Sequence, residues 1–425
     1  MMSQRSTNNS SIHRSIINSI TPRRFRTSPL DPSTSPALSI LRLITACVVT
    51  MLAVATVFMN QSIFLDIAES FSINTQHARF AFSIISLCYS VTFLFIGPIA
   101  DTFDCRKITA LGHAVISIVL MIVAGLHGYS WFLGCMGLIG IAAATVPASM
   151  FPYVSRLAST QQTEVYIGAI VASATLGIVV GRVALGAFTD VLGWRDSYRI
   201  FSLTFAFLSL FSLYILGTPP KGERSTRKMK QLYIEMAQMV ITPATISLLL
   251  TGFFLFFGFL GTITFLTYRL AASPFFFNSA QVGYISFAGL AAIIAPFSGG
   301  LSKRFGPYKI IIPSLIICLT AMQLLYWSQN VFSMTLAIVL LFLGVYACQP
   351  LLFLLIGRRI RPQIMGCASS LYILFCIGGG SVASLILGGI WEKYGWAGII
   401  LTCSASITLA LAIIGANTRR EHSIR

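Results

Sequence analysis

Long apolar runs separated by short polar turns occupy the chain from Leu38 onward. A helix needs about 18 to 20 apolar residues to cross a hydrocarbon core of roughly 30 Å. Runs of that length start near Leu38, Ala78, Ile108, Trp131, Val165, Ile200, Ala244, Val282, Ile310, Phe332, Cys367 and Ala397. In lipid every backbone polar group has to be satisfied inside the protein, so these runs predict twelve transmembrane α-helices. The even number returns both ends of the chain to one side. A polar stretch divides the helices six and six, which predicts one bundle at 36–216, a connecting loop at 217–242 and a second bundle at 243–416. That loop is read first as a tether between the halves, with a helix over 225–239 lying on the membrane surface as the alternative. Residues 1–35 are rich in Ser, Thr, Asn, Pro and Arg and lack the periodicity to bury a core. A disordered tail is expected there, with a short second tail at 417–425.

The second half repeats the first at an offset of 202 residues. Gly97 falls opposite Gly299, Leu185 and Gly186 opposite Leu387 and Gly388, and Gly193 and Trp194 opposite Gly395 and Trp396. The fold expected is therefore an all-α membrane protein built from two pseudo-symmetric six-helix bundles. A site between two similar bundles can open to one side when they rock against each other, which is how many secondary transporters work.

Composition agrees with a bilayer. Hydrophobic residues make up 56% of the chain and charged residues 10%, and the mean hydropathy is +0.82; soluble domains carry about 25% charged residues. With the N-terminus in the cytoplasm, 22 of the 29 Lys and Arg fall in cytoplasmic turns and tails, as the positive-inside rule requires. A multi-pass protein of the cytoplasmic (inner) membrane is expected, with both termini cytoplasmic. The net charge of +17 then belongs beside anionic lipid headgroups and forms no long basic face for nucleic acid. Nine cysteines lie mostly inside spans, and no pair has metal or redox spacing. No metal, disulfide or cofactor is expected. No nucleophile with a base, paired acid or ligand cluster sits within the spans, so an enzyme is disfavoured.

Two segments carry mechanism. After the second span come Gly97, Asp101, Asp104, Arg106 and Lys107. Gly97 lets the neighbouring half pack closely, Asp101 at a helix end accepts from basic groups, and Arg106 and Lys107 hold the turn at the headgroups. Charge pairs across such a seam stabilise one state and break when that side opens. This turn resembles the signature loop of the major facilitator superfamily, with two departures: Thr102 replaces the usual basic residue, and Asp104 takes the usual glycine position, where a left-handed backbone is expected. The second copy has Lys303 where the acid belongs, so the first turn is the expected switch.

The fifth span carries Gly168, Gly177, Gly181, Arg182 and Gly186, and resembles the antiporter signature of the same superfamily, except that Arg182 stands for proline and Leu185 for glycine. The glycines are expected to form a packing seam between spans five and eight. Arg182 lies eight residues before Asp190, roughly 12 Å inside the helix end at about 1.5 Å per residue. An arginine near mid-membrane costs about 2.5 to 3.5 kcal/mol on insertion scales. It must face protein, water or substrate, as an anchor for an anionic or hydroxyl-rich solute or as a gate; the alternative is snorkelling toward Asp190 or Asp196.

No span has a carboxylate at its middle, which argues against export of lipophilic cations. Proton carriers would be peripheral: Asp66 and Glu69 at the outer end of span one, or His113 in span three, which also reads as a hydrogen-bonded structural histidine. Tyr346 and Gln349, three apart on span ten, are the leading substrate contacts, with Asn60 and Gln61 toward the end of span one. Pro147 and Pro350 are matched helix breaks facing the same place.

Segments after the tail, including 181–195, Tyr268 to Pro274, 368–372 and 388–396, are similar to the sugar-efflux-like permease branch of the superfamily. The resemblance implies a twelve-helix transporter of the cytoplasmic membrane that exports small molecules, here expected to act as a monomer with a small-molecule substrate and protons as partners. An importer of a small polar solute, and a non-transporting receptor on the same fold, are the alternatives.

Overall fold

The computed structural model describes residues 36–158, 162–217, 229–358 and 364–424. The tail at 1–35 and the basic start of the central loop, including Arg224 and Arg227, lie outside them. Ten helical stretches among the described residues are long and apolar enough to cross a membrane. The last, Gly366–Thr418, contains two spans: Gly395 adopts φ 58°, ψ −149° and breaks the helix there. Span eight is broken as well, into Ser279–Ile285, a 3-10 stretch at Ser286–Ile294, and Ala295–Phe305. Counting both gives the twelve-helix, two-bundle architecture.

Gly193, at φ 77°, makes in the first half the break that Gly395 makes in the second. A left-handed φ is open to glycine at little steric cost, and each glycine precedes a tryptophan whose indole N–H ties the new helix to its own half: Trp194 donates to the Ser70 hydroxyl at 2.8 Å and Trp396 to the Leu325 carbonyl at 3.1 Å. The expected left-handed Asp104 is not found. Asp104 has φ −73°, ψ 106° and caps the third span by accepting from the Arg106 amide at 3.1 Å, a role its side chain performs only from extended backbone. Gly306, at the same place in the second half, does take φ 89°.

Helix Met229–Ile241 occupies the end of the central loop and buries Leu232, Met236 and Met239, one stripe of an amphipathic helix. Tyr233 on it donates to the Phe95 carbonyl of span two at 3.2 Å. At the other end of the chain the last helix continues to Ile424, through the residues expected to be a tail. The face where span one begins is called the tail face below, and the opposite one the far face.

Candidate functional site

Spans one, two, four, five, seven, ten and eleven surround a central cavity of about 60 Å³. Its walls are mainly aromatic, with Phe58, Phe151, Phe256 and Phe353 among them, and its polar groups come from Tyr89, Thr175, Tyr346, Gln349 and Tyr372. Pro147 and Pro350 both face it. Phe151 and Phe353, 5.6 Å apart between ring centres, join spans four and ten. Tyr346 is buried, and its hydroxyl lies toward Thr175 without a hydrogen bond of good geometry. The Gln349 side-chain oxygen also lacks a partner, although its backbone carbonyl accepts from Tyr372 at 2.9 Å. The cavity therefore brings the two leading substrate contacts together and leaves polar atoms of each unused.

Two antiparallel helix pairs close around this cavity, span two against span eleven and span five against span eight. The first is a ladder of small residues. Ser83 and Ser384 hydroxyls are 2.7 Å apart, and the Ser381 hydroxyl donates to Ser86 at 3.0 Å. Toward the far face, Arg79 donates to the Ser384 carbonyl at 3.4 Å, and its guanidinium occupies the space a side chain on Gly388 would need. Toward the tail face, a Cβ on Gly97 would lie 2.7 Å from the Ser370 hydroxyl oxygen. Each contact pairs positions whose numbers sum to nearly one value, the signature of one unslipped antiparallel register.

The span five and span eight pair repeats this arrangement through the internal duplication. A Cβ on Gly186 would lie 2.9 Å from the Ser279 carbonyl oxygen, and one on Gly283 would lie 2.9 Å from the Arg182 carbonyl oxygen. Gly186 thus serves its seam as Gly388 serves the other. The expected single seam of fifth-span glycines is corrected here. A Cβ on Gly181 would lie 2.8 Å from the Ala55 Cα, and one on Gly177 3.1 Å from the Met51 carbonyl carbon, so both pack on span one; Gly168 has nothing within 4 Å. The reason is rotation: at 3.6 residues per turn Gly186 is about 140° around the helix from Gly181.

Arg182 is 1% exposed, and its Nε and Nη2 have no hydrogen-bond partner. Such burial rules out snorkelling to Asp190 or Asp196. At the far face the halves are also joined by Gln61, whose side-chain nitrogen donates to the Thr264 hydroxyl at 2.9 Å and whose backbone carbonyl accepts from the Thr267 hydroxyl at 2.8 Å, and by Ser279, which donates to Asp66. Asn60 does not reach the cavity. Its amide nitrogen donates to the Met136 sulfur at 3.0 Å and its oxygen accepts from Tyr198, which ties spans one, four and six within the first half. His113 is buried, bonded to the Thr109 carbonyl at 2.9 Å and stacked on Phe205, a structural placement away from the cavity. Arg106 lies 3.8 Å from Asp104 and donates to the Leu213 carbonyl at 3.5 Å, while Lys107 is exposed. Asp101 lies in the last turns of its helix; its side chain is outside the described residues.

Reading the sequence missed Arg79 and the serine ladder. Small residues recurring at three- and four-residue spacing on spans two and eleven are the signal that would have found them.

Burial raises the Asp66 carboxyl above its ordinary 3.8, against the lowering pull of the Ser279 hydroxyl, and Glu69 and Asp190 add to the rise. Far-face closure around Asp66 is thus favoured by the protonated acid. That contribution is full at low pH and is lost as pH rises from the ordinary carboxylate range through the raised value. A cysteine placed at Thr267 is expected to be labelled from the far side faster as pH rises over that window, and Asp66→Asn to flatten the dependence at the slow rate. A pH profile unchanged in Asp66→Asn sinks this assignment.

Paired seams around a cavity between two duplicated bundles define a polytopic solute transporter. The sequence profile of the Major Facilitator Superfamily matches residues 46–385, and the chain belongs to that family. It is similar to the putative uncharacterized transporter YgaY of Escherichia coli K12, 26% identical over 384 residues, covering 89% of this chain and 94% of the relative. The inner membrane transport protein YnfM of the same strain is 24% identical over 371 residues, 87% and 88% of the two chains. The multidrug resistance protein MdtG of Enterobacter lignolyticus is 26% identical over 356 residues, 79% and 82%. Among solved structures, the inward-facing, unoccupied bacterial homologue of the human lysosomal transporter Spinster superposes with a TM-score of 0.70 at 17% identity, over 91% of this chain and 98% of that one.

Proposed function

We propose that this transporter exports a small solute by alternating access, exchanging it for protons across the cytoplasmic membrane. One observation carries the reading: a cavity enclosed by two helix-pair seams that the internal duplication relates. Rocking the halves parts both seams at one face while they close at the other. The tail face is taken as cytoplasmic because the basic turns gather there. The switch is assigned to the turn from Gly97 to Lys107, with Asp101 as its acid. Export is favoured by the fifth-span glycines and by the multidrug relative; proton exchange is favoured by Asp66, an acid at the far-face closure.

Counterflow in proteoliposomes tests this directly. Purified protein preloaded with sugars, amino acids or drugs is expected to drive uptake of the labelled counterpart, faster when a pH gradient opposes the solute. A protein that binds a solute but moves none of the panel is a receptor, and the proposal falls.

A further inference from the structure

Arg182 stands on the cavity stripe of span five. Val171, Thr175 and Ile178 line the cavity, and Arg182 follows Ile178 by four residues and Thr175 by seven, which places it on the same helix face one turn nearer the far side. Long side chains on a helix lean back toward its N-terminus, here toward the cavity. The guanidinium is buried, and two of its three nitrogens lack any partner. No carboxylate among the described residues lines the cavity or pairs with Arg182. Arginine offers five donors and no acceptor, so a charge of this kind without a partner inside the protein is a standing electrostatic cost.

One polar group of the cavity wall points to the same missing partner. The Tyr346 hydroxyl is a donor without a hydrogen bond; the unpartnered Gln349 Oε1 is an acceptor that suits a donor elsewhere on the solute, and the remaining wall is aromatic. From this we infer that the transported solute is a small organic anion, with a carboxylate or similar oxyanion held by Arg182 and an apolar or aromatic body among the phenylalanines. The inference rests on the transport reading and deepens it. A bidentate carboxylate supplies the acceptors Arg182 lacks and cancels the buried charge while the site is closed to both faces. The backbone of Arg182 is also wedged against Gly283 in the far-face seam, so the residue that takes the anion belongs to the contact that must open to release it. A cationic solute would face an uncompensated guanidinium with no acid among the described residues that line the cavity.

The test uses the purified full chain and three probes with one ring: benzoate, benzamide and benzylamine. Benzoate, or a larger aromatic carboxylate such as naphthoate, is expected to raise the thermal unfolding midpoint, and the amide and amine of the same ring to do so at least tenfold less potently. Arg182→Gln is expected to abolish the carboxylate response, Arg182→Lys to retain part of it, and Tyr346→Phe to weaken it by a smaller factor. Equal potency of amide or amine, an undiminished carboxylate response in Arg182→Gln, or no response to any carboxylate overturns the inference. The three-probe comparison on the unaltered protein decides the matter even if the variants fold poorly. Counterflow separates the two readings: selective carboxylate binding without flux removes transport and keeps the anion site, whereas flux of neutral or cationic solutes that Arg182→Gln leaves intact removes the anion site and keeps transport.

Discussion

Oxidising a protein that carries Ser83→Cys and Ser384→Cys together, in a background without its own cysteines, stops transport, and reduction restores it. The two hydroxyls already touch at 2.7 Å on facing helices, so sulfurs in their place need to close by less than about 1 Å to reach the roughly 2.0 Å of a disulfide bond. A covalent bond there fixes span two to span eleven on the far side of the cavity, between Arg79 and the Ser86–Ser381 contact. If solute leaves by parting this seam, flux falls to the level of empty liposomes while binding from the tail face persists. Full flux in the cross-linked protein, verified as cross-linked by its altered mobility, means that the ladder is a fixed axis and that release occurs elsewhere. The same pair of substitutions kept reduced is the control, since cysteine replaces serine with little change in volume.

Gly181→Val removes most of the folded protein, whereas Gly168→Val leaves it close to normal. The fifth-span pattern treats the two glycines alike, but their surroundings differ. At Gly181 a Cβ would come within 2.8 Å of the Ala55 Cα, a backbone atom that cannot rotate away, and at Gly168 nothing lies within 4 Å. Overpacking a fitted contact costs about 1 to 3 kcal/mol, and the helix approach between spans one and five has no side chain to yield. In lipid such close approaches supply much of the attraction between helices, because hydrocarbon solvates apolar side chains as well as protein does. The thermal unfolding midpoint and the monodisperse yield in detergent check this; equal values for the two variants would refute the packing account.

Much of the molecule is legible in its residues one at a time or in short windows. Apolar length sets the twelve crossings, because a backbone in hydrocarbon has no other partner for its amides. The 202-residue offset anticipates matched glycine breaks, and Gly193 and Gly395 both take left-handed φ before a tryptophan. Tyr346 and Gln349 share a face by spacing alone, and both line the cavity. Span eight is where length succeeded and regularity failed: an apolar run shows that a segment crosses, but the 3-10 stretch at Ser286–Ile294 has no mark in composition.

What the amino-acid sequence determined by itself was local: which stretches enter lipid, where they stop, which residues share a helix face, and that an arginine without a matching acid lies deep in span five. The tertiary structure alone decided who faces whom. It sent Gly177 and Gly181 to span one and Gly186 to span eight, enclosed Asn60 and His113 within the first half, set Arg79 against Gly388, and left Arg182 buried without a hydrogen-bond partner one turn beyond the cavity-lining stretch of span five. Helical periodicity fixes the direction a side chain leaves its own helix. The neighbour waiting there depends on how all twelve cylinders pack, and that is a property of the assembled bundle.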